Sequence, residues 1–161
     1  MRRTLAIGAL ALGMLLAGCG SPGAAETSAP PASDAGGYGD APSSGADLML
    51  AETALGEIVV TADGMTAYVF DKDTQGAVES ACTGACLGNW PPILAAGSEP
   101  VGDGITGELG TIDAPDGKKR ITLDGWPLYT FAGDAAAGDV AGQSVQDVWW
   151  VVDATGAKVG G

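Results

Sequence analysis

Two segments of this 161-residue chain repeat one another, and the repetition restricts the fold more than any other feature. Tyr68-Val-Phe70-Asp-Lys-Asp73 returns as Tyr129-Thr-Phe131-Ala-Gly-Asp134. Each copy is led by a strand-like run, Glu57-Ile-Val-Val-Thr-Ala62 in the first and Lys118-Lys-Arg-Ile-Thr-Leu123 in the second. Each run ends in a hairpin turn signal, Asp63-Gly64 or Asp124-Gly125. Tyr68 and Tyr129 lie 61 residues apart and Trp90 and Trp149 lie 59 apart, so the copies keep register through their aromatic landmarks. The pattern predicts one compact all-β domain over 47–161, with repeats at about 55–95 and 117–156. Two hairpin repeats, intertwined or side by side, would close a small barrel or sandwich and bury the faces that neither covers alone.

Within each motif the tyrosine and phenylalanine stand two residues apart and point to one face of a strand, and the aspartate falls at or beyond the strand end. The expected role for both rings is core, with Asp73 and Asp134 capping the following turns. The alternative is that the two carboxylates hold a metal or a polar ligand. After the first motif, Cys82-Thr-Gly-Ala-Cys86 can bring two sulfurs together over one helical turn. A disulfide there would pin the link to Trp90-Pro91-Pro92. A redox-active or copper(I)-binding pair is the competing reading, disfavoured by the three-residue spacing and the want of a cation to stabilise a thiolate. The second copy has no cysteines and runs through Gly138-Asp139 and Gly142-Gln143 to Val148-Trp149-Trp150-Val-Val-Asp153. Its tryptophans must face opposite sides of a strand, one in the core and the other a candidate contact platform. Glu108–Ile112 is a short candidate strand, and no helix is expected beyond the cysteine turn.

The N-terminus reads as an export signal, with Met1-Arg2-Arg3 ahead of the apolar run Leu5–Leu16. Leu16-Ala17-Gly18-Cys19 looks like a lipobox, which makes 1–18 a lipoprotein signal peptide and Cys19 the carrier of diacylglycerol. That covalent lipid is the only cofactor the sequence suggests. Lipidating Cys19 leaves Cys82 and Cys86 as a pair suited to an oxidising compartment. Residues 19–46 are rich in Gly, Ala, Ser and Pro and read as a disordered tether, on the order of 30 Å in mean reach. The expected location is the extracytoplasmic face of the cell membrane, held by lipid and not by a membrane span.

A formal charge of −13 repels phosphate backbones, so nucleic acid is excluded as a partner class. The chain has no histidine, which excludes Ser-His-Asp and Cys-His catalysis and the usual histidine metal sites. Asp71, Asp73, Gly76 and Glu79 follow the first half of a calcium loop, but its twelfth position is Cys82 in place of the bidentate glutamate. No pair among the many carboxylates is singled out for hydrolysis. No catalytic residue and no metal ligand is therefore assigned. The leading expectation is a monomeric, non-enzymatic domain that binds or scaffolds an unidentified envelope protein or ligand. The alternative is envelope metal or redox handling by the cysteine pair or the aspartates.

These residues resemble a bacterial family of small secreted lipoproteins with a Y-x-[FWY]-x-x-D motif, the secreted repeat of unknown function. The resemblance rests on Tyr68, Phe70 and Asp73; Cys82 and Cys86; Trp90, Pro91 and Pro92; Gly125 and Pro127-Leu128-Tyr129; and Phe131, Asp134 and Trp149. It implies a lipid-anchored or secreted domain of paired repeats and assigns no activity.

Overall fold

The structure, a computed structural model, describes residues 45–114 and 116–161. The signal peptide, Cys19 and almost all of the tether lie outside the described residues. Among the described residues seven short strands form three small sheets: β1 (Leu48–Thr53) with β2 (Gly56–Thr61), β3 (Tyr68–Phe70) with β7 (Trp149–Val151), and β4 (Leu109–Asp113), β5 (Lys119–Leu123) and β6 (Trp126–Pro127) in that order. The described helical structure is one turn, α1 (Cys86–Asn89), and a 3-10 turn at Val145–Asp147. Isolated bridges stitch the sheets into a sandwich-like body that does not close into a barrel.

β1 carries no sequence signal of the usual kind, because Leu-Met-Leu-Ala-Glu-Thr has little β-branched content. It is a strand because it pairs with all of β2, from Leu48 opposite Thr61 to Thr53 opposite Gly56, and buries Leu48 fully. Asp47 fixes its start by accepting the amides of Ala96 and Val101 at 2.8 and 2.9 Å.

Both expected hairpins form, by different turns. Asp124 and Gly125 take φ of 48° and 75° in a two-residue loop, which sets Leu123 opposite Trp126. In the first copy Gly64 alone is left-handed, at φ 80°, and the Thr61 amide donates to the Met65 carbonyl around a longer turn. That added residue shifts the copies by one upstream of the turn. Val59 accepts from Ala67 as Ile121 accepts from Leu128, and Val59 donates to Val152 as Ile121 donates to Ile93. Ile121 is thus the counterpart of Val59, and Arg120 the counterpart of Ile58.

The repeats are intertwined. Tyr68 and Tyr129 exchange amide-to-carbonyl bonds of 2.8 and 3.0 Å, which places a local two-fold axis between them. β3 of the first copy pairs with β7 of the second. In reverse, the second motif pairs with the Asn89–Pro92 segment of the first: Thr130 donates to Pro91 at 2.9 Å and Ala132 to Asn89 at 2.8 Å. That segment does not form a regular strand, since Pro91 and Pro92 lack the N–H groups that Trp150 and Val151 supply in β7.

Strand alternation divides the core in two. Val59, Ala67, Val69, Ile121, Leu128 and Val152 join an aliphatic cluster. Ile58, Val60, Tyr68, Phe70, Trp90, Tyr129, Trp149 and Val151 join an aromatic one.

Candidate functional site

Each motif phenylalanine stacks on the tryptophan of the opposite copy. Phe70 stacks on Trp149 with centroids 4.1 Å apart, Trp149 on Trp90 at 3.7 Å, and Trp90 on Phe131 at 4.4 Å. This four-ring column is symmetric about the Tyr68–Tyr129 axis. Tyr68 meets Trp90 edge-on at 5.4 Å and Tyr129 meets Trp149 edge-on at 5.2 Å. Aromatic pairs of this kind contribute about 0.5–1.5 kcal/mol each beyond burial.

The hydroxyls and carboxylates are exchanged in the same way. Tyr68 donates to Asp134 Oδ2 and Tyr129 to Asp73 Oδ2, each at 2.8 Å. The second oxygens, Asp73 Oδ1 and Asp134 Oδ1, accept the amides of Ala81 and Ala141 at 2.6 and 2.9 Å. Each aspartate thus accepts one backbone amide from the segment that follows it, as expected, and in addition a phenol that was not expected. Asp73 and Asp134, 5% and 8% exposed, reach amides eight and seven residues downstream and a phenol of the other copy. A buried carboxylate needs every available donor, and these are the donors that the intertwining brings.

Burial pushes the Asp134 carboxyl above its ordinary range, against the hydrogen bonds from Tyr68 and Ala141. Burial also pushes both phenols well above the ordinary tyrosine value; the Asp134 hydrogen bond adds to this at Tyr68, and the Asp73 charge at Tyr129.

The calcium-loop residues do not converge. Asp71 pairs with Lys158 and accepts from Trp150 Nε1 at 2.9 Å, and Asp73 is engaged as above. Among the described residues no cluster of three or more acidic or cysteine side chains is placed to hold a metal. Cys82 and Cys86 are joined as a disulfide with Cα atoms 5.4 Å apart, and Cys82 packs in the aromatic cluster. Trp149 is core, at 2% exposure. Trp150, on the other face of β7, is half-buried against the aliphatic cluster. With its indole nitrogen bonded to Asp71, it is not an open aromatic platform.

One group stands apart from this mutual satisfaction. Arg120 is 4% exposed, and its Nε has no hydrogen-bond partner. The ion pairs among the described residues all involve lysines. β5 brings Arg120 into the lining of a cleft of about 440 Å³, together with Glu79, Ser80, Thr83, Asp113 and Ala114. Asp113 is tied to Lys119, and the Ser80 hydroxyl is bonded to that of Tyr129. A buried N–H left without an acceptor carries a penalty of about 1–3 kcal/mol. In the sequence Arg120 stands within a strand-like run and carries no site motif. Its signal was comparative, a cation where the first copy has Ile58, but the differing turns hide it: counting 61 residues back from Arg120 reaches Val59.

Among the described residues no helix is long and apolar enough to cross a membrane. No curated protein and no solved structure matches the chain. A family model described as a secreted repeat of unknown function matches residues 49–94 and again 110–153, one match on each copy. More than half of the chain is covered, and with both repeats present this protein belongs to the family of secreted repeats of unknown function, an extracytoplasmic domain carried here in duplicate.

Proposed function

We propose that this protein is a lipid-anchored domain of the extracytoplasmic membrane face that binds a component of the cell envelope without transforming it. The observation that carries the reading is the contrast between the motif and Arg120. The polar groups of Tyr68, Tyr129, Asp73 and Asp134 satisfy one another across the two-fold axis, so the motif builds the body and offers no reactive group. Arg120 is a buried cation that lines a cleft and keeps an Nε with no hydrogen-bond partner, which supports a binding role for it. The anchor is supported by the Leu16-Ala-Gly-Cys19 pattern and by the family's secreted character. A tether of residues 19–46 would let the domain search a shell around its attachment point.

Two measurements test this. The full chain and its Cys19→Ser variant are expressed in a bacterium that processes lipoproteins, then fractionated. The unsubstituted chain should sediment with membranes and carry a diacylglyceryl mass on Cys19, and the variant should lose both; an unmodified Cys19 would overturn the anchor. The Cys19→Ser chain is then titrated onto washed envelopes. Saturable retention is expected, and retention that never saturates or does not occur would overturn the binding role.

A further inference from the structure

The cleft over Arg120 has a chemistry narrow enough to define its ligand, on the reading that the domain binds. Its one lining cation is Arg120, held at 4% exposure on β5. Arg120 forms no ion pair with a carboxylate among the described residues, and both oxygens of the buried Asp73 are engaged by other donors. Arginine's fork matches the two oxygens of a carboxylate in one plane. The wall opposes a more highly charged anion, since Glu79 and Asp113 line the same cleft. A phosphate dianion would meet Glu79, which has no ion-pair partner among the described residues, and Asp113, whose charge Lys119 offsets only in part. A ligand carrying one carboxylate and one ammonium would meet a partner for each. The volume, about 440 Å³, suits a small molecule of amino-acid to dipeptide size.

The flanking structure supports a built wall. Ser80 and Thr83 bracket Cys82, so the Cys82–Cys86 bridge holds one side of the cleft. The position related by the two-fold axis lacks both features: the second copy has no bridge to wall it, and the counterpart of Arg120 in the first copy is the core residue Ile58.

We propose that the Arg120 cleft binds a small zwitterion, an amino acid or short peptide with a free carboxylate. The carboxylate lies on the guanidinium of Arg120 and the ammonium faces Glu79 and Asp113. The two copies have therefore diverged: one presents Ile58 to the shared core, and the other presents Arg120 to a ligand.

The test is calorimetric titration of the Cys19→Ser full chain with alanyl-alanine, its C-terminal amide, its N-acetyl derivative and inorganic phosphate. Melting temperatures are measured in parallel. Saturable binding of alanyl-alanine is expected, with the amide at least about tenfold weaker and the other two probes weaker than the parent. Arg120→Ile, the residue of the first copy, should abolish binding and raise the melting temperature by relieving the buried charge. Glu79→Gln, on an exposed side chain, should weaken alanyl-alanine and leave the N-acetyl derivative unaffected. Equal binding of acid and amide, tighter binding of phosphate, or no saturation by any probe at about 10 mM would overturn the ligand class. A lower melting temperature for Arg120→Ile would make the guanidinium structural and overturn the site. Envelope retention that survives Arg120→Ile would reject this cleft while leaving the binding role of the domain standing.

Discussion

The first copy surrounds its motif with Ile58, a three-residue turn at Asp63-Gly64, the Cys82–Cys86 bridge and the prolines after Trp90. The second has Arg120, a two-residue turn at Asp124-Gly125, no cysteines, and tryptophan and valine after Trp149. Where the copies meet they remain alike: Tyr68 and Tyr129, Phe70 and Phe131, Asp73 and Asp134, Trp90 and Trp149. The difference teaches that the shared motif is an association code between repeats. Each tyrosine hydroxyl, aspartate and phenylalanine in it finds a partner in the other copy, so a change in one copy would leave a group in the other unmatched. Positions that face away from the axis carry no such restriction and are where the copies differ. The phenols illustrate both at once: Tyr68 Oη accepts the Gly142 amide at 3.2 Å, whereas Tyr129 Oη is bonded to the Ser80 hydroxyl. Gly142 is required for the first arrangement, since a Cβ there would sit 2.7 Å from the Tyr68 ring.

The strongest way to break the symmetry is to remove a central ring. Trp149→Ala and Trp90→Ala should each cost about 3–5 kcal/mol in denaturant unfolding. The two costs should agree within about 1 kcal/mol if the column is shared equally between the copies; a large effect at one position only would reduce it to one copy's core.

The staple is the least symmetric feature, and its loss should be milder. Cys82→Ser with Cys86→Ser should lower stability by about 2 kcal/mol in the chain-entropy account of so short a loop, without preventing folding. Failure to fold would make the bridge a condition of the whole body and not a local tie.

Double-mutant cycles sharpen the cross-copy assignment. Tyr68→Phe with Asp134→Asn, and Tyr129→Phe with Asp73→Asn, should show coupling of about 1 kcal/mol, and each tyrosine with its own copy's aspartate markedly less. The reverse ranking would place the hydrogen bonds within copies.

Alkaline titration gives the smallest effect. Both phenols are raised above 10.0 in the fold, so the stability they confer is complete below that value and declines as unfolded tyrosines ionise above it. Each should cost about 0.8 kcal/mol between pH 9 and pH 10.5. Tyr68→Phe and Tyr129→Phe should flatten the slope equally, and an unchanged slope in either would show that its phenol ionises in the native state.

Much of the body was legible from local chemistry. Asp-Gly turns, β-branched runs and the two-residue spacing of tyrosine and phenylalanine each act over a few residues, and the structure has hairpins and a shared ring face where they called for them. The cysteine spacing likewise suited the observed bridge. β1 was not legible, because Leu48–Thr53 becomes a strand only through its pairing with β2. The phenol partners of Asp73 and Asp134 were not legible either, since an aspartate after a strand signals a turn cap and these donors lie far along the chain.

The sequence by itself determined that the chain is duplicated, β-rich and compatible with a staple at Cys82–Cys86, and that its motif rings share a face. Tertiary structure alone decided that the copies exchange partners. A tyrosine strand can meet its own tryptophan segment or the other copy's with the same alternation, and only long-range packing separates the two. It also decided that Arg120 lies where Ile58 lies in the first copy: one additional residue in a turn moves every side chain upstream to a different counterpart, and that shift shows only when both hairpins stand in the same body.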